Sequence, residues 1–264
     1  MRQIGITSTI RYILDGYFLR KDSMTEVLAI GAHPDDLELS CGATIAKLIR
    51  QGRSVVFADL TQGELGTRGT KDVRVREAQN AAAILGVNDR RNLAIPDGNI
   101  ERNQTNLHKV LGLLRDVRPS ILIIPHSFDR HPDHMHAHQL CREAWFYSGL
   151  AKIPTQHSGK NQLPHRPDNW FEFMQWHEFT PSFIIDVSDT WETKMKAVLA
   201  YESQFHNPNS NEPETKLSQP QFLELVEARG RSYGEKIGKR YGEPFFCPSS
   251  LGLNTMFDLA LAKG

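Results

Sequence analysis

Two short segments concentrate residues able to do chemistry. Ala32-His33-Pro34-Asp35-Asp36 and Asp129-Arg130-His131-Pro132-Asp133-His134 each set imidazoles and carboxylates around a proline. Either one alone reads as an ordinary turn, with an aspartate capping the helix that follows. Two of the same kind, each directly after an apolar run that reads as a buried strand, point to something more specific. Imidazole plus carboxylate is a ligand set suited to Zn²⁺, and a catalytic zinc site takes three protein ligands and leaves a position for water. His33, Asp36 and one histidine of the second segment would complete that set. Asp35 would then stand as a free carboxylate beside the metal, where hydrolysis needs a general base.

The elements that must bring these segments together follow from periodicity. Val27-Leu28-Ala29-Ile30-Gly31 reads as a buried strand, and a helix is predicted over 43–51, with Ile45, Leu48 and Ile49 on one face and Gly52 as its stop. Val55-Val56-Phe57-Ala58 is a second strand, and a helix from Val73 to Leu85 ends at Gly86. A short strand at Leu93-Ala94-Ile95 precedes the turn Pro96-Asp97-Gly98. The helix 104–117 spaces Leu107, Val110, Leu111 and Leu114 at i, i+3, i+4, i+7, Ile121-Leu122-Ile123-Ile124 is a fourth strand, and a helix over 133–147 follows it. This alternation predicts an α/β fold: a doubly wound, mostly parallel, Rossmann-like sheet with helices on both faces. In a strand order 3-2-1-4 the first and fourth strands are neighbours and the order reverses between them. That crevice is where such sheets bind ligands, so the two segments would meet there.

Beyond the fourth unit, residues 151–182 read as a long excursion rich in Pro, His and Trp. A strand is predicted at Phe183-Ile184-Ile185-Asp186-Val187, and helices near 190–205 and 220–238 flank the loop 207–220. No repeat, low-complexity tract or linker divides the chain, so residues 24–264 are expected to form one domain. Residues 1–23, ahead of Met24, read as a dispensable extension, because Arg11 and Asp15 interrupt what would be the apolar run of a signal peptide.

Composition removes several function classes. The 264 residues carry 31 Lys+Arg against 31 Asp+Glu, so no charge excess recommends nucleic acid or an anionic membrane as partner. No apolar run of about 18 residues exists to span a bilayer. Cys41, Cys141 and Cys247 lack any C-x-x-C pairing, which fits a reduced, cytoplasmic protein. Strand 1 is not followed by G-x-G-x-x-G. The glycine loop Gly63-Glu64-Leu65-Gly66-Thr67-Arg68-Gly69-Thr70 lacks G-K-[ST] and reads as a mobile substrate loop rather than a phosphate cradle. His134 and His138 stand at i, i+4 but lack the Glu of H-E-x-x-H. A binding module that had lost catalysis would have no use for Asp35, and Asp35 is intact.

A-H-P-D-D after strand 1 with H-P-D-H after strand 4 resembles the LmbE-like (PIG-L) zinc deacetylases, which remove acetyl groups from N-acetylglucosamine derivatives. The resemblance runs from about Glu26 to the C-terminus. Leu60-Thr61-Gln62-Gly63-Glu64-Leu65-Gly66-Thr67-Arg68-Gly69-Thr70, Tyr201-Glu202-Ser203-Gln204-Phe205 and Asn207-Pro208-Asn209-Ser210 are similar to one branch, which acts on N-acetyl-α-D-glucosaminyl L-malate in bacillithiol biosynthesis. A chitin disaccharide, an inositol glycoside or a bacillithiol S-conjugate are the alternative substrates. The resemblance implies His33, Asp36 and His134 as ligands of Zn²⁺ (or Fe²⁺ in the cell) and Asp35 as general base. It also implies His131 as the second catalytic group, oriented by Asp133, and a homo-oligomer. Arg74 matches a substrate-contacting arginine, whereas Phe222 stands where some relatives carry a tyrosine. Malate would bring two carboxylates, and Arg68, Arg74 and Arg130 all follow strands on the metal side. Guanidinium groups bind carboxylates in bidentate fashion, so these three are predicted to bind substrate.

Overall fold

The computed structural model describes residues 25–208 and 210–256, so the segment 1–23 and the N-terminal boundary of the domain lie outside the described residues. Seven strands form the main sheet. They are β1 (Val27–Gly31), β2 (Val55–Asp59), β3 (Asp89–Asn92), β4 (Ile121–Pro125), β7 (Asn169–Phe173), β8 (Phe183–Asp186) and β9 (Gly242–Phe246). Their order across the sheet is β3-β2-β1-β4-β7-β9-β8. The two-residue strands β5 (Gln156–His157) and β6 (Lys160–Asn161) make a separate small hairpin. β3, β2, β1, β4 and β7 pair in parallel, and β9 joins antiparallel to both β7 and β8. The expected α/β class and the 3-2-1-4 order of the first four strands are therefore observed.

Alternation along β1 explains the two helical layers. Val27 and Ala29 face one core, packed by α1 (Asp36–Arg50), α2 (Lys71–Leu85) and α5 (Trp191–Leu199) through Leu37, Ile45, Ala81, Leu85 and Val198. Leu28 and Ile30 face the other, packed by α3 (Gln104–Val117) and α4 (Pro132–Ser148) through Val110, Leu111, Leu114, Leu140 and Ala144. A strand buried on both faces needs an unbroken apolar run, and VLAIG supplies it. The last helix, α6 (Gln221–Glu235), lies over the β9 end of the sheet. Among the described residues no helix is long and apolar enough to cross a membrane.

Several boundaries differ from the sequence reading. The third strand is Asp89–Asn92 rather than Leu93–Ile95, and Ala94 sits at φ 47, which an extended strand does not allow. The polar DRRN run is stable as an edge strand because Arg90 turns inward: its Nε and Nη2 each donate to the Asp59 carboxylate at 2.8 Å, and Nη1 donates to Glu38. α1 begins at Asp36, well before residue 43, because its first turns carry the buried polar residues Asp36, Glu38 and Ser40, which mask the apolar period. β7 emerges from the segment read as an excursion, and β9 has no counterpart among the predicted strands. Its Pro244 pairs with Ile184 of β8, whereas the β7 ladder takes only Phe245 and Phe246.

The Arg90–Asp59–Glu38 cluster yields a stability prediction. Removing the guanidinium would leave two buried carboxylates without a counterion, a change that costs about 3–5 kcal/mol. Arg90→Met is expected to lower the unfolding free energy by that order in urea titration. A change under about 1 kcal/mol would show that the cluster is not a stabilising element.

Candidate active site

The loops after β1 and β4 meet because those strands are adjacent, with Val27 registered against Ile121. In the first loop the chain turns sharply: Asp35 has φ 106, and α1 starts at the next residue. His33 donates its backbone N–H to Asp36 Oδ2 at 2.9 Å, which ties the turn to the helix. An aspartate tolerates this left-handed backbone better than most residues but at a cost, and strain of this kind gathers at functional sites. In the second loop His131 is the N-cap of α4, its Nδ1 accepting the Asp133 N–H at 3.2 Å, with Pro132 at the first helical position.

Side chains from the two loops converge. Asp36 Oδ1 lies 3.2 Å from Nε2 of His134, whose Nδ1 is 2.8 Å from Asp129 Oδ1. His33 Nε2 lies 3.1 Å from Asp97 Oδ1 and 3.3 Å from Asp133 Oδ2, and its Nδ1 is 3.7 Å from Asp36 Oδ2. Ligand-capable atoms of His33, His131 and His134 all lie within 4.8 Å of one another. Each of His33 and His134 thus has one nitrogen against a carboxylate and the other toward Asp36, the outer support that fixes tautomer and ring plane in metal-binding histidines. Asp129 is held in turn by the backbone N–H groups of His131, Trp176 and His177.

The electrostatics are those of a cation site. Burial alone would push the Asp36 carboxyl up, but His134 and His33 outweigh it and hold it well below the usual range. The His134 imidazolium, disfavoured by burial, is favoured more strongly by Asp36 and Asp129 and rises to about 9. Asp129 falls to about 2, burial again being outweighed, here by His134 and backbone donors. Asp35 goes the other way: burial raises it to about 7, against the pull of the Arg74 guanidinium 3.1 Å away. His131 is lowered by burial and by the neighbouring His33 and His134, so its neutral form prevails near pH 7, and the N–H accepted at Nδ1 leaves the ring proton on Nε2.

A cavity of about 860 Å³ opens over this cluster and is lined by His33, Asp35, Asp36, His131 and His134 among others. Of the residues expected to bind substrate, Arg74 and Arg130 line it and Arg68 does not. Arg68 is buried and donates to the Ser203 carbonyl at 2.8 Å, to Ser210 Oγ at 2.9 Å and to the Pro213 carbonyl, so it clamps the glycine loop to the segment 203–213. Arg74 is committed to Asp35 and to the Pro34 carbonyl, and the glycine loop wraps it: a Cβ on Gly63 would come within 2.6 Å of its Nη1. That loop is also tied through Leu65 N–H to Asp97 and Gly69 N–H to Glu212. Arg130 is exposed and rests on the Trp176 ring, 4.4 Å from its centroid.

One other expectation is corrected. The Asp133 carboxylate does not orient His131; it accepts the Gly98 N–H at 2.8 Å and faces His33, and only the Asp133 backbone touches the His131 ring. His138, set aside as a ligand in the sequence, is buried against Trp170 with its Nδ1 at the Pro125 carbonyl. No tyrosine lines the cavity among the described residues, and Phe222 does. Sequence reasoning missed Asp129 and Asp97 as supports of the histidines, and Gln175, whose Nε2 donates to Asp36 Oδ1 at 2.7 Å. Asp129 does carry a local signal: an aspartate two residues before His131 forms an Asx turn, its Oδ1 taking the His131 N–H.

Comparison with known proteins finds relatives along most of the chain. Residues 28–145 match the family described as GlcNAc-PI de-N-acetylase, PIG-L. The diacetylchitobiose deacetylase of Thermococcus kodakarensis is 31% identical over 232 residues, covering 84% of this chain and 82% of that protein. A 1D-myo-inositol 2-acetamido-2-deoxy-α-D-glucopyranoside deacetylase of Nocardiopsis dassonvillei is 29% identical over 164 residues, 48% of this chain and 57% of the relative. Among solved structures, the conserved protein TT1542 from Thermus thermophilus superposes with a TM-score of 0.78 at 35% identity, covering 88% of this chain and 98% of that one. The chain belongs to the PIG-L family. The two relatives are named as deacetylases of N-acetylglucosamine derivatives.

The Arg74–Asp35 contact predicts a pH effect. A cation beside a carboxyl favours its charged form, so removing Arg74 raises the Asp35 pKa. If Asp35 must be ionised to act, the acidic limb of the kcat/KM profile should fall at or below pH 7 and move upward in Arg74→Met. A limb that stays in place would separate Asp35 from the rate.

Proposed function

We propose that this protein hydrolyses the acetamide of an N-acetylglucosamine conjugate at a divalent metal held by His33, Asp36 and His134. The observation that carries this reading is the approach of Asp36 Oδ1 to His134 Nε2, 3.2 Å apart, with His33 beside them and Asp35 on the same turn. The donor set fits a cation: two imidazoles backed by carboxylates and one carboxylate kept ionised. Zn²⁺ or Fe²⁺ bound there would polarise the acetamide carbonyl and acidify a water.

The chain's own groups do the rest. Asp35, with a pKa near neutrality, takes the proton of the attacking water and can return it to the departing amine. His131, in its neutral form with the ring proton on Nε2, can donate to the oxygen that becomes negative. Acetate and a free glucosamine amine are the products, and no covalent intermediate is needed. Asp97, Asp129 and Asp133 hold the histidine rings, and Arg74 holds Asp35.

Metal analysis of His134→Ala is expected to show loss of stoichiometric metal, and full retention would remove His134 from the ligand set. Asp35→Asn, compared at equal metal content, should lower turnover by about 10²–10⁴-fold, the usual contribution of a general base. A loss below about tenfold would make Asp35 a structural residue of the turn.

Arg130 favours a finer reading, the malate conjugate of bacillithiol biosynthesis. It is the one of the three expected arginines that lines the cavity with no ion pair among the described residues. For that substrate Arg130→Ala should reduce kcat/KM at least tenfold more than for N-acetylglucosamine itself, which has no carboxylate to lose. Equal losses would turn the reading toward a neutral aglycone such as a second sugar or inositol.

A further inference from the structure

The loops after β1, β4 and β7 lie in a row, because those strands are parallel neighbours in that order, and the third loop brings Gln175 to the metal cluster. Gln175 Nε2 is 2.7 Å from Asp36 Oδ1 and 3.1 Å from His134 Nε2, and those two atoms are 3.2 Å apart. Donors bound about 2.1 Å from one ion stand about 3.0–3.4 Å from each other. The three atoms thus match one face of a coordination shell to within a few tenths of an ångström, and the inward end of the Gln175 amide holds its third corner. The outward end is an orphan: Oε1 is buried and has no hydrogen-bond partner among the described residues. A half-turn about the last side-chain bond exchanges the two ends and costs the oxygen no hydrogen bond. A divalent ion at the cluster favours that turn, since it attracts the carbonyl oxygen and repels the amide N–H groups.

We infer that Gln175 is a fourth protein ligand of the divalent ion, its Oε1 joining His33, Asp36 and His134. The inference rests on the metal reading proposed above. The backbone around Gln175 is pinned where this role needs it. Arg229 of α6 donates to the Gln175 and Trp176 carbonyls, and Asp129 accepts the N–H groups of Trp176 and His177. Asp129 also meets Nδ1 of His134, so one carboxylate sets the position of the histidine and of the loop that carries the amide. Four protein donors still leave room for a water, because zinc in catalytic sites can expand to five ligands. Being neutral, the amide adds an oxygen donor without neutralising the ion as a second carboxylate would.

The test uses the full chain. In a crystal structure of the Zn²⁺-loaded protein, Gln175 Oε1 should lie about 2.0–2.2 Å from the ion, a contact that an amide nitrogen does not make. Zn²⁺ affinity, measured by competition with a chelating dye, should fall about 10–100-fold in Gln175→Leu. An amide whose nearest atom stands beyond about 3 Å from the ion overturns the proposal, and so does Gln175→Leu binding Zn²⁺ as tightly as wild type. The crystal structure needs no variant, so it decides the matter even if the substitution unfolds the chain. His134→Ala separates this failure from that of the metal reading. If it loses the ion while Gln175→Leu keeps full affinity, the three-residue site stands and Gln175 alone is removed from it. If wild type binds no stoichiometric Zn²⁺, the metal reading fails and takes Gln175 with it.

Discussion

Buried carboxylates at the ends of two neighbouring strands cannot be left unpaired, and that constraint organises this protein. Asp36, Asp129 and Asp133 are each nearly inaccessible, and Asp35 lies with them. Placing ionised groups so deep costs several kcal/mol apiece unless cations and donors surround them. The sheet order makes the solution possible. With β1 beside β4, the imidazoles of one loop reach the carboxylates of the other, and backbone N–H groups of 98, 131, 176 and 177 complete the coordination of Asp129 and Asp133. The outcome is a pocket that favours positive charge, whether a proton on His134 or a metal ion.

The same constraint separates the two adjacent aspartates of A-H-P-D-D into different roles. Asp36 faces His33 and His134 and is held ionised; Asp35 faces Arg74 and apolar surroundings and is held near its switching point. Consecutive residues usually share an environment. The left-handed backbone at Asp35 is what sends the two side chains apart, and the glycines at 63 and 66 make room for the arginine that meets one of them. The strained turn and the glycine loop are therefore two halves of a single device for placing one carboxylate.

How much of this could be read beforehand depended on which physical rule was in charge. Strands buried on both faces and helices with a clean apolar stripe, such as 104–117, announce themselves, and the switch-point rule then brings His33 and Asp36 to the histidines of the second segment without any knowledge of contacts, while the choice of His134 came from the family resemblance. Partners were harder. Arg68, Arg74 and Arg130 look alike in sequence, yet one clamps a loop, one serves Asp35 and one stacks on Trp176. The choice depends on long-range neighbours that no local pattern encodes. Asp133 illustrates the same limit, because its carboxylate answers to the Gly98 N–H, which lies on a turn 35 residues upstream. β3 and β9 escaped for a related reason: their stability comes from Arg90 meeting Asp59 and from Pro244 lying where one ladder ends, and neither is a property of the strand's own composition.

Helix α1 joins these threads, since it is both the support of the metal cluster and the wall of the cavity. Its N-terminal turn carries Asp36, and its buried face packs Leu37, Cys41 and Ile45 into the core. Its Leu39 and Ser40 line the cavity, as do Phe222 and Leu225 of α6. Glu243 of β9 reaches the middle of the helix and accepts from Ala43 and Thr44, while Thr190 donates to the Ala43 carbonyl. These contacts anchor α1 near its middle. Through them the antiparallel end of the sheet, which among the described residues contributes no side chain to the histidine–carboxylate cluster, holds the helix that carries Asp36.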